Sequence, residues 1–337
     1  MYSMQKVNLK TDHLDPLKVL SSTKEILKSP KFVYIDFDKV KEIKNLIKKR
    51  IEEGFPSAND CFRVNHSLKD DVQLIFLEDV VNFCFWFKKG IPRWQVEYPE
   101  GDVANGWFAL KKSFDRALAE NIPILDANYL ADLKLEEVKH IFRSVSVTKI
   151  PLIEKRLENL REAGNVLLEK YEGSFLNLLQ KVNFSAPEVA KELYNNFPSF
   201  RDIFNFKDNK IYFLKRAQIC PYDLSYLESE YSEDFKIKDL DQLTIFADYK
   251  LPQVLRAFGV ISYSESLSNK VDNYVTIPQG SREEMEIRAS IIWACELVRQ
   301  EIPQFTNVLI DNALWFLSIE LNKEDLLPYH RTKSIYY

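Results

Sequence analysis

A carboxylate kept among aromatic and aliphatic neighbours is costly to charge, so it usually has a partner or a task. Two such acids stand out in this 337-residue chain. Asp248 lies in Phe246-Ala247-Asp248-Tyr249-Lys250-Leu251-Pro252-Gln253, just ahead of a helix-compatible run. Asp311 interrupts the apolar string Leu309-Ile310-Asp311-Asn312-Ala313-Leu314-Trp315. Cationic groups stand apart from them: Lys215-Arg216 directly follows Ile211-Tyr212-Phe213-Leu214, and His330-Arg331 precedes a closing Ile335-Tyr336-Tyr337. Acids in an aromatic setting together with separate cations suit a substrate made of a flat base, a sugar and a phosphate. Each residue also has an ordinary use. Asp248 can cap a helix opening near Pro252; Asp311 can face solvent or form half of a buried pair; a lone basic residue commonly lies on a solvated face.

The elements that must hold these groups read as helices. Glycine is scarce, at 8 residues, while Leu, Lys, Glu and Ile recur at helical spacing. Asp15-Pro16 supplies a cap and a first-turn proline for a helix to about Lys28. Asp36 or Asp38 caps a second, with Val40, Ile43, Ile47 and Ile51 on one face and Gly54 as its stop. The run from Val72 to Phe87 is apolar and aromatic, and its interruption at Leu77-Glu78-Asp79 permits two short elements. Trp94–Tyr98 and Val103–Trp107 alternate like the arms of a hairpin around Pro99-Glu100-Gly101, and a smaller hairpin is expected around Asp208-Asn209. Further helices are expected over 108–120, 135–142, 153–171, 189–195, 251–258, 282–300 and 308–321. Within 282–300, Ile287, Ile291, Cys295 and Val298 share one face, which predicts a central position. The expected fold is therefore mainly α, a compact helical body with one or two small β-hairpins; a DNA-glycosylase-like body is one form of it. The whole chain, 1–337, reads as one domain, with two lobes around a cleft as a variant of that arrangement.

Composition excludes several functions. The formal net charge of −4 argues against a protein that coats RNA or DNA. Cys61, Cys84, Cys220 and Cys295 are far apart and form no CxxC pair, so they read as small buried hydrophobes in a reducing compartment, and no metal site is expected. There is no apolar leader or membrane span, which makes the cytoplasm the expected location. Phosphate-cradling GxxxxGK[ST], GxGxxG, HExxH and GxSxG strings do not occur. ATP-driven chemistry, dinucleotide redox and serine hydrolysis thus lack their usual marks, and no cofactor is expected.

The same strings, in collinear order, resemble the queuosine salvage protein family. The resemblance includes Asn82-Phe83-Cys84-Phe85-Trp86, Arg116-Ala117-Leu118, Glu172-Gly173-Ser174-Phe175-Leu176 and Phe197-Pro198-Ser199-Phe200-Arg201-Asp202. It continues through Lys215–Ile219, Phe246–Leu255, Glu286-Ile287-Arg288 and the His330–Tyr337 tail. This likeness implies an N-glycosidic hydrolase that releases queuine, a 7-deazaguanine base, from queuosine 5′-phosphate for tRNA modification. It implies Asp248 as the catalytic carboxylate and Phe246, Ala247 and Tyr249 as the wall beside it. Asp311, Asn312, Phe316 and His66 would bind the base, and Lys215 is the favoured cation for the phosphate. Relatives often carry an aromatic at the position of Asn312 and an acid at that of Phe316, so base contacts there would differ. The expected partners are the small-molecule substrate and product, without direct nucleic acid or membrane contact. Two other functions fit the same residues: a non-catalytic carrier of queuine or queuosine, and a glycosylase acting on a base within RNA or DNA. The acidic balance disfavours the second of these.

Overall fold

The computed structural model describes residues 9–55, 67–231, 235–322 and 324–337. Among these, fourteen α-helices accompany three two-stranded antiparallel sheets. The chain is mainly α, as glycine scarcity and helical spacing led one to expect. It divides into two compact units, each assembled from separated stretches. One comprises Met1–Phe55, Asp202–Lys215 and Asp239–Lys333; the other comprises Pro56–Arg201, Arg216–Lys238 and Ser334–Tyr337. The chain thus passes between them after residues 55, 201, 215, 238 and 333.

In the first unit, the opening helix spans Val19–Leu27, later than the Asp15-Pro16 start predicted for it. Lys18 takes a left-handed conformation (φ 61°), and the Asp15 carboxylate accepts from the Leu20 and Ser21 amides at 3.2 and 2.7 Å. Asp15 therefore caps the helix from further out. Helix Phe37–Glu52 matches its pattern: Asp36 accepts from the Asp38 and Lys39 amides, and Val40, Ile43 and Ile47 are buried. Gly54, at φ 81°, permits the left-handed exit.

Helix Arg282–Glu301 is the core of this unit, with Ile287, Ile291, Cys295 and Val298 all fully buried. Its polar residues from Glu283 to Glu296 are buried as well, so the charges along this stretch need partners. Glu286 accepts from the Lys31 and Phe32 amides at 2.9 and 2.6 Å and from Arg282 Nε at 2.7 Å. Glu296 accepts from the Thr11 hydroxyl at 2.5 Å and from Asn307 Nδ2 at 3.1 Å. Two sheets complete the unit: Val33–Ile35 with Ile261–Tyr263, and Ile203–Phe206 with Asn209–Tyr212. The second turns at Lys207-Asp208, one residue before the predicted position, because Lys207 takes the left-handed conformation (φ 53°).

In the second unit, Leu68–Val80 is one continuous helix, where the sequence suggested a break at Leu77-Glu78-Asp79. The charge at Glu78 does not interrupt it, because Lys111 on helix Gly106–Ala119 bonds Oε2 at 2.9 Å. Burial pushes the Glu78 carboxyl up to about 7, while Lys111 pulls it back. Phe76 of the same helix stacks on Phe175 with ring centroids 4.0 Å apart, near Phe197 and Phe200. Phe83 and Trp86 are buried core residues. The hairpin Gln95–Glu97 with Val103–Asn105 and the long helix Ile153–Tyr171 lie where the sequence placed them. Cys84, Cys220 and Cys295 are buried, while Cys61 lies outside the described residues. Among the described residues no helix is long and apolar enough to cross a membrane.

Gly164 permits a close helix approach in this second unit. A Cβ there would lie 2.5 Å from Ala131 N and 2.7 Å from Ala127 O, both backbone atoms of helix Ala127–Asp132. Alanine gains about 1 kcal/mol of helix propensity over glycine. Overpacking against backbone that cannot swing aside costs about 1–3 kcal/mol or more. Gly164→Ala is thus expected to lower the chemical denaturation midpoint; a midpoint equal to or above that of the parent protein would contradict this helix crossing.

Candidate active site

Residues 246–248 lead, without regular secondary structure, to the short helix Leu251–Ala257, whose first turn holds Pro252. Asp248 Oδ1 accepts from the Lys250 amide at 2.7 Å and the Leu251 amide at 3.0 Å. This is the capping arrangement anticipated as its ordinary use, and it occupies one oxygen. Oδ2 has no hydrogen bond among the described residues, so the second oxygen is free for other work. Capping and chemistry divide the carboxylate between them, and the cap fixes the direction in which Oδ2 points.

Asp311 comes from helix Asn307–Glu320 and is 6% exposed. Its Oδ1 accepts from the Phe246 amide at 2.7 Å, which ties this helix to the segment carrying Asp248. The two carboxylates feel one another and share a counter-charge, Lys215, which is itself buried. Burial, and then the like charge of Asp248, hold the Asp311 carboxyl well above the usual carboxylate range. Asp248 is also raised by burial, although its side chain keeps some exposure; Lys215, the two amides and Lys250 oppose that rise. Asp248 has more cationic and donor support, so it is the first of the pair to ionise, and Asp311 keeps its proton longer. The two titrate as a coupled pair.

Phe246 and Ala247 are buried beside these acids. The Ala247 carbonyl accepts from Arg288 Nε at 3.1 Å, so it is already engaged within the protein. The Tyr249 ring lies against Tyr329, centroids 5.0 Å apart. Asn312 is buried next to Asp311 on the same helix. Phe316 stacks on Phe55 at 5.7 Å, with the Arg50 guanidinium 5.6 Å from each ring. The structure thus joins Asp248, Asp311, Phe246, Ala247 and Lys215 through direct bonds or shared fields, whereas the ring contacts of Phe316 are with Phe55 and its neighbour Trp315. His66 lies outside the described residues.

The two adjacent cations separate as adjacent helical side chains should. Lys215 opens helix Lys215–Ser225, while Arg216 donates to the carbonyls of Asp79 and Val80 at 2.9 and 2.6 Å and to that of Ser199. His330 is fully buried, and burial together with the Arg288 charge lowers its pKa to about 3. It is neutral at physiological pH and cannot serve as a cation for phosphate. Sequence reasoning assigned no role to Asp202 and Arg288, which bond each other at 2.8 and 2.5 Å beside these groups. The signal for Arg288 was a density of charge on a helix whose apolar face already marked it as central; Asp202, outside any helix, gave none.

Comparison with known proteins identifies the family. The family model described as queuosine salvage protein matches residues 62–337. The chain belongs to the queuosine salvage protein family. A relative from Sphaerobacter thermophilus, named queuosine 5′-phosphate N-glycosylase/hydrolase, is 37% identical over 327 residues, covering 96% of this chain and 98% of its own. The protein of the same name from Mus musculus is 35% identical over 343 residues, covering 96% and 99%. That from Nematostella vectensis is 36% identical over 289 residues, covering 80% and 82%. Every candidate residue of this queuosine salvage protein, from His66 to Phe316, lies within the matched stretch.

Proposed function

We propose that this chain is an N-glycosidic hydrolase that releases queuine from queuosine 5′-phosphate. The relatives' shared name supports the substrate and reaction class. The observation that carries the mechanism is the Asp248–Asp311 pair with buried Lys215 as shared counter-charge, one Asp248 oxygen being held by amides and the other without a hydrogen bond among the described residues.

Cleaving the bond between C1′ of the ribose and the base nitrogen develops positive charge at C1′. A carboxylate below the ribose stabilises that charge or bonds to it, and water then supplies the new hydroxyl. A 7-deazaguanine lacks the ring nitrogen that purine hydrolases commonly protonate, so more of the barrier falls on stabilising the ribosyl cation. Asp248 Oδ2 is the group for this task. Asp311 accepts from the N–H groups of the base, with Asn312, Phe316 and His66 as further base contacts. Phe246, Ala247 and Tyr249 form the wall beside the sugar and base, and Lys215 serves the phosphate as well as the acids. Both units serve one catalytic domain, a reading supported by the repeated passage of the chain between them.

The test is chromatographic. Purified protein incubated with queuosine 5′-phosphate is expected to liberate free queuine, and to leave the modified base in intact tRNA untouched. Tight binding of queuine without any base release would favour the carrier function instead. Release from intact tRNA with a steep salt dependence would favour the nucleic-acid glycosylase.

A further inference from the structure

The Asp202–Arg288 pair has features that simple stabilisation does not require. Both residues are buried, at 1% and 0% exposure. Arg288 Nη1 and Nη2 bond Asp202 Oδ1 and Oδ2 at 2.8 and 2.5 Å in a two-pronged fork. The remaining guanidinium nitrogen, Nε, donates to the Ala247 carbonyl at 3.1 Å, directly before Asp248. Asp202 Oδ2 in turn accepts from the Lys215 amide at 3.1 Å. The fork lies over Phe213, whose ring centroid is 4.1 Å from the guanidinium carbon. Phe213 is anchored by its own amide to the Asp202 carbonyl at 3.0 Å.

Apolar residues of similar volume generally stabilise a core as well as a buried ion pair does, but they do not direct backbone groups. This pair grips two backbone points, the carbonyl directly before Asp248 and the amide of Lys215. We infer that Asp202 and Arg288 are positioning residues, which fix the Asp248 carboxylate relative to the Lys215 ammonium through the Ala247 carbonyl and the Lys215 amide. This inference rests on the assignment of Asp248 as the carboxylate beneath the ribose. The other charged or titratable groups nearby are Glu284, 3.3 Å from Arg288 Nη1, and His330 against Arg288, with Lys250 and Asp311 around Asp248.

A single change at either residue strands a buried charge and endangers the fold. The informative variant is therefore the double change Asp202→Leu with Arg288→Met, which removes both charges and refills the space. Turnover of queuosine 5′-phosphate is normalised to the number of queuine-binding sites found by calorimetry, so that unfolded protein does not count. Displacement of catalytic groups by about 1 Å costs about 100-fold in rate. The double variant is expected to lose about that factor in kcat per site, with KM changed far less. The acidic limb of kcat/KM should also move to higher pH, because Lys215 no longer opposes protonation of Asp248. Arg288→Lys, which keeps the charge and loses the fork, should lie between the two. Unchanged kcat per site in the double variant, with the limb in its original place, overturns the inference while leaving the proposed hydrolysis intact. Absence of base release by the parent protein overturns both.

Discussion

Replacing Asp248 by asparagine is expected to reduce queuine release at least about 1,000-fold, equal to about 4 kcal/mol of lost transition-state stabilisation. The fold should survive. An asparagine Oδ1 can accept the same Lys250 and Leu251 amides that Asp248 Oδ1 accepts, so the start of helix Leu251–Ala257 keeps its cap. Only the negative charge and the nucleophilic oxygen disappear. Queuine affinity should change little, since the base contacts lie with Asp311 and its neighbours. Asp248→Ala makes a useful contrast, because it removes the cap together with the chemistry and should also lower the melting temperature. Single-turnover rates, with product separated by chromatography, read the effect. Near-parental turnover in Asp248→Asn would falsify the assignment of this carboxylate to the ribosyl cation.

Asp311→Asn should act in the opposite sense on stability and binding. In the folded protein the Asp311 pKa is raised well above its ordinary 3.8, by burial and then by Asp248. A raised carboxyl pKa contributes stability that is present below the ordinary value and is lost as pH rises through the folded value. Asparagine carries no such dependence. The variant should therefore gain in melting temperature relative to the parent as pH increases from the acid side towards neutrality and beyond. Binding moves the other way. A charged acceptor contributes about 1.5–3 kcal/mol per hydrogen bond, so queuine affinity should fall about 10- to 100-fold. Because N–H donors on the base favour the ionised carboxyl, queuine binding by the parent should release a proton. Titration calorimetry in buffers of different ionisation heat measures this, and asparagine should abolish the release. Equal proton release by the two proteins would place the coupled proton elsewhere.

Those expectations draw on parts of the molecule that differ in how visibly the sequence announces them. Helix Phe37–Glu52 was readable because cap, apolar spacing and stop signal agree, and Arg282–Glu301 and Ile153–Tyr171 were readable from their spacing. The continuous helix Leu68–Val80 was not, since its Glu78 looks like an interruption until Lys111, distant in sequence, neutralises it. The paired strands Val33–Ile35 and Ile261–Tyr263 escaped for a related reason: they are distant in sequence, and no shared turn announces their pairing. At the site, the neighbourhood of Asp248 was legible from its aromatic setting, and its family role from resemblance. The division of its two oxygens, one on an amide cap and the other without a hydrogen bond among the described residues, depends on backbone geometry, which no spacing rule conveys. Likewise, nothing local to Asp202 or Arg288 says that they meet. A buried pair joining residues 86 positions apart is visible only once the chain has folded.

The interleaving of the two units bears on how the protein must be made. Thr11 bonds Glu296 across 285 residues, and the Lys31 amide bonds Glu286 across 255. The unit holding Asp248 and Asp311 therefore cannot close while the ribosome is still translating its last helices, and its amino-terminal strand and helices must wait without their partners. Such late, long-range closure is slow and leaves apolar surface open to aggregation. Recombinant yield should thus respond to chaperone supply and growth temperature more strongly than the finished fold's stability alone would suggest.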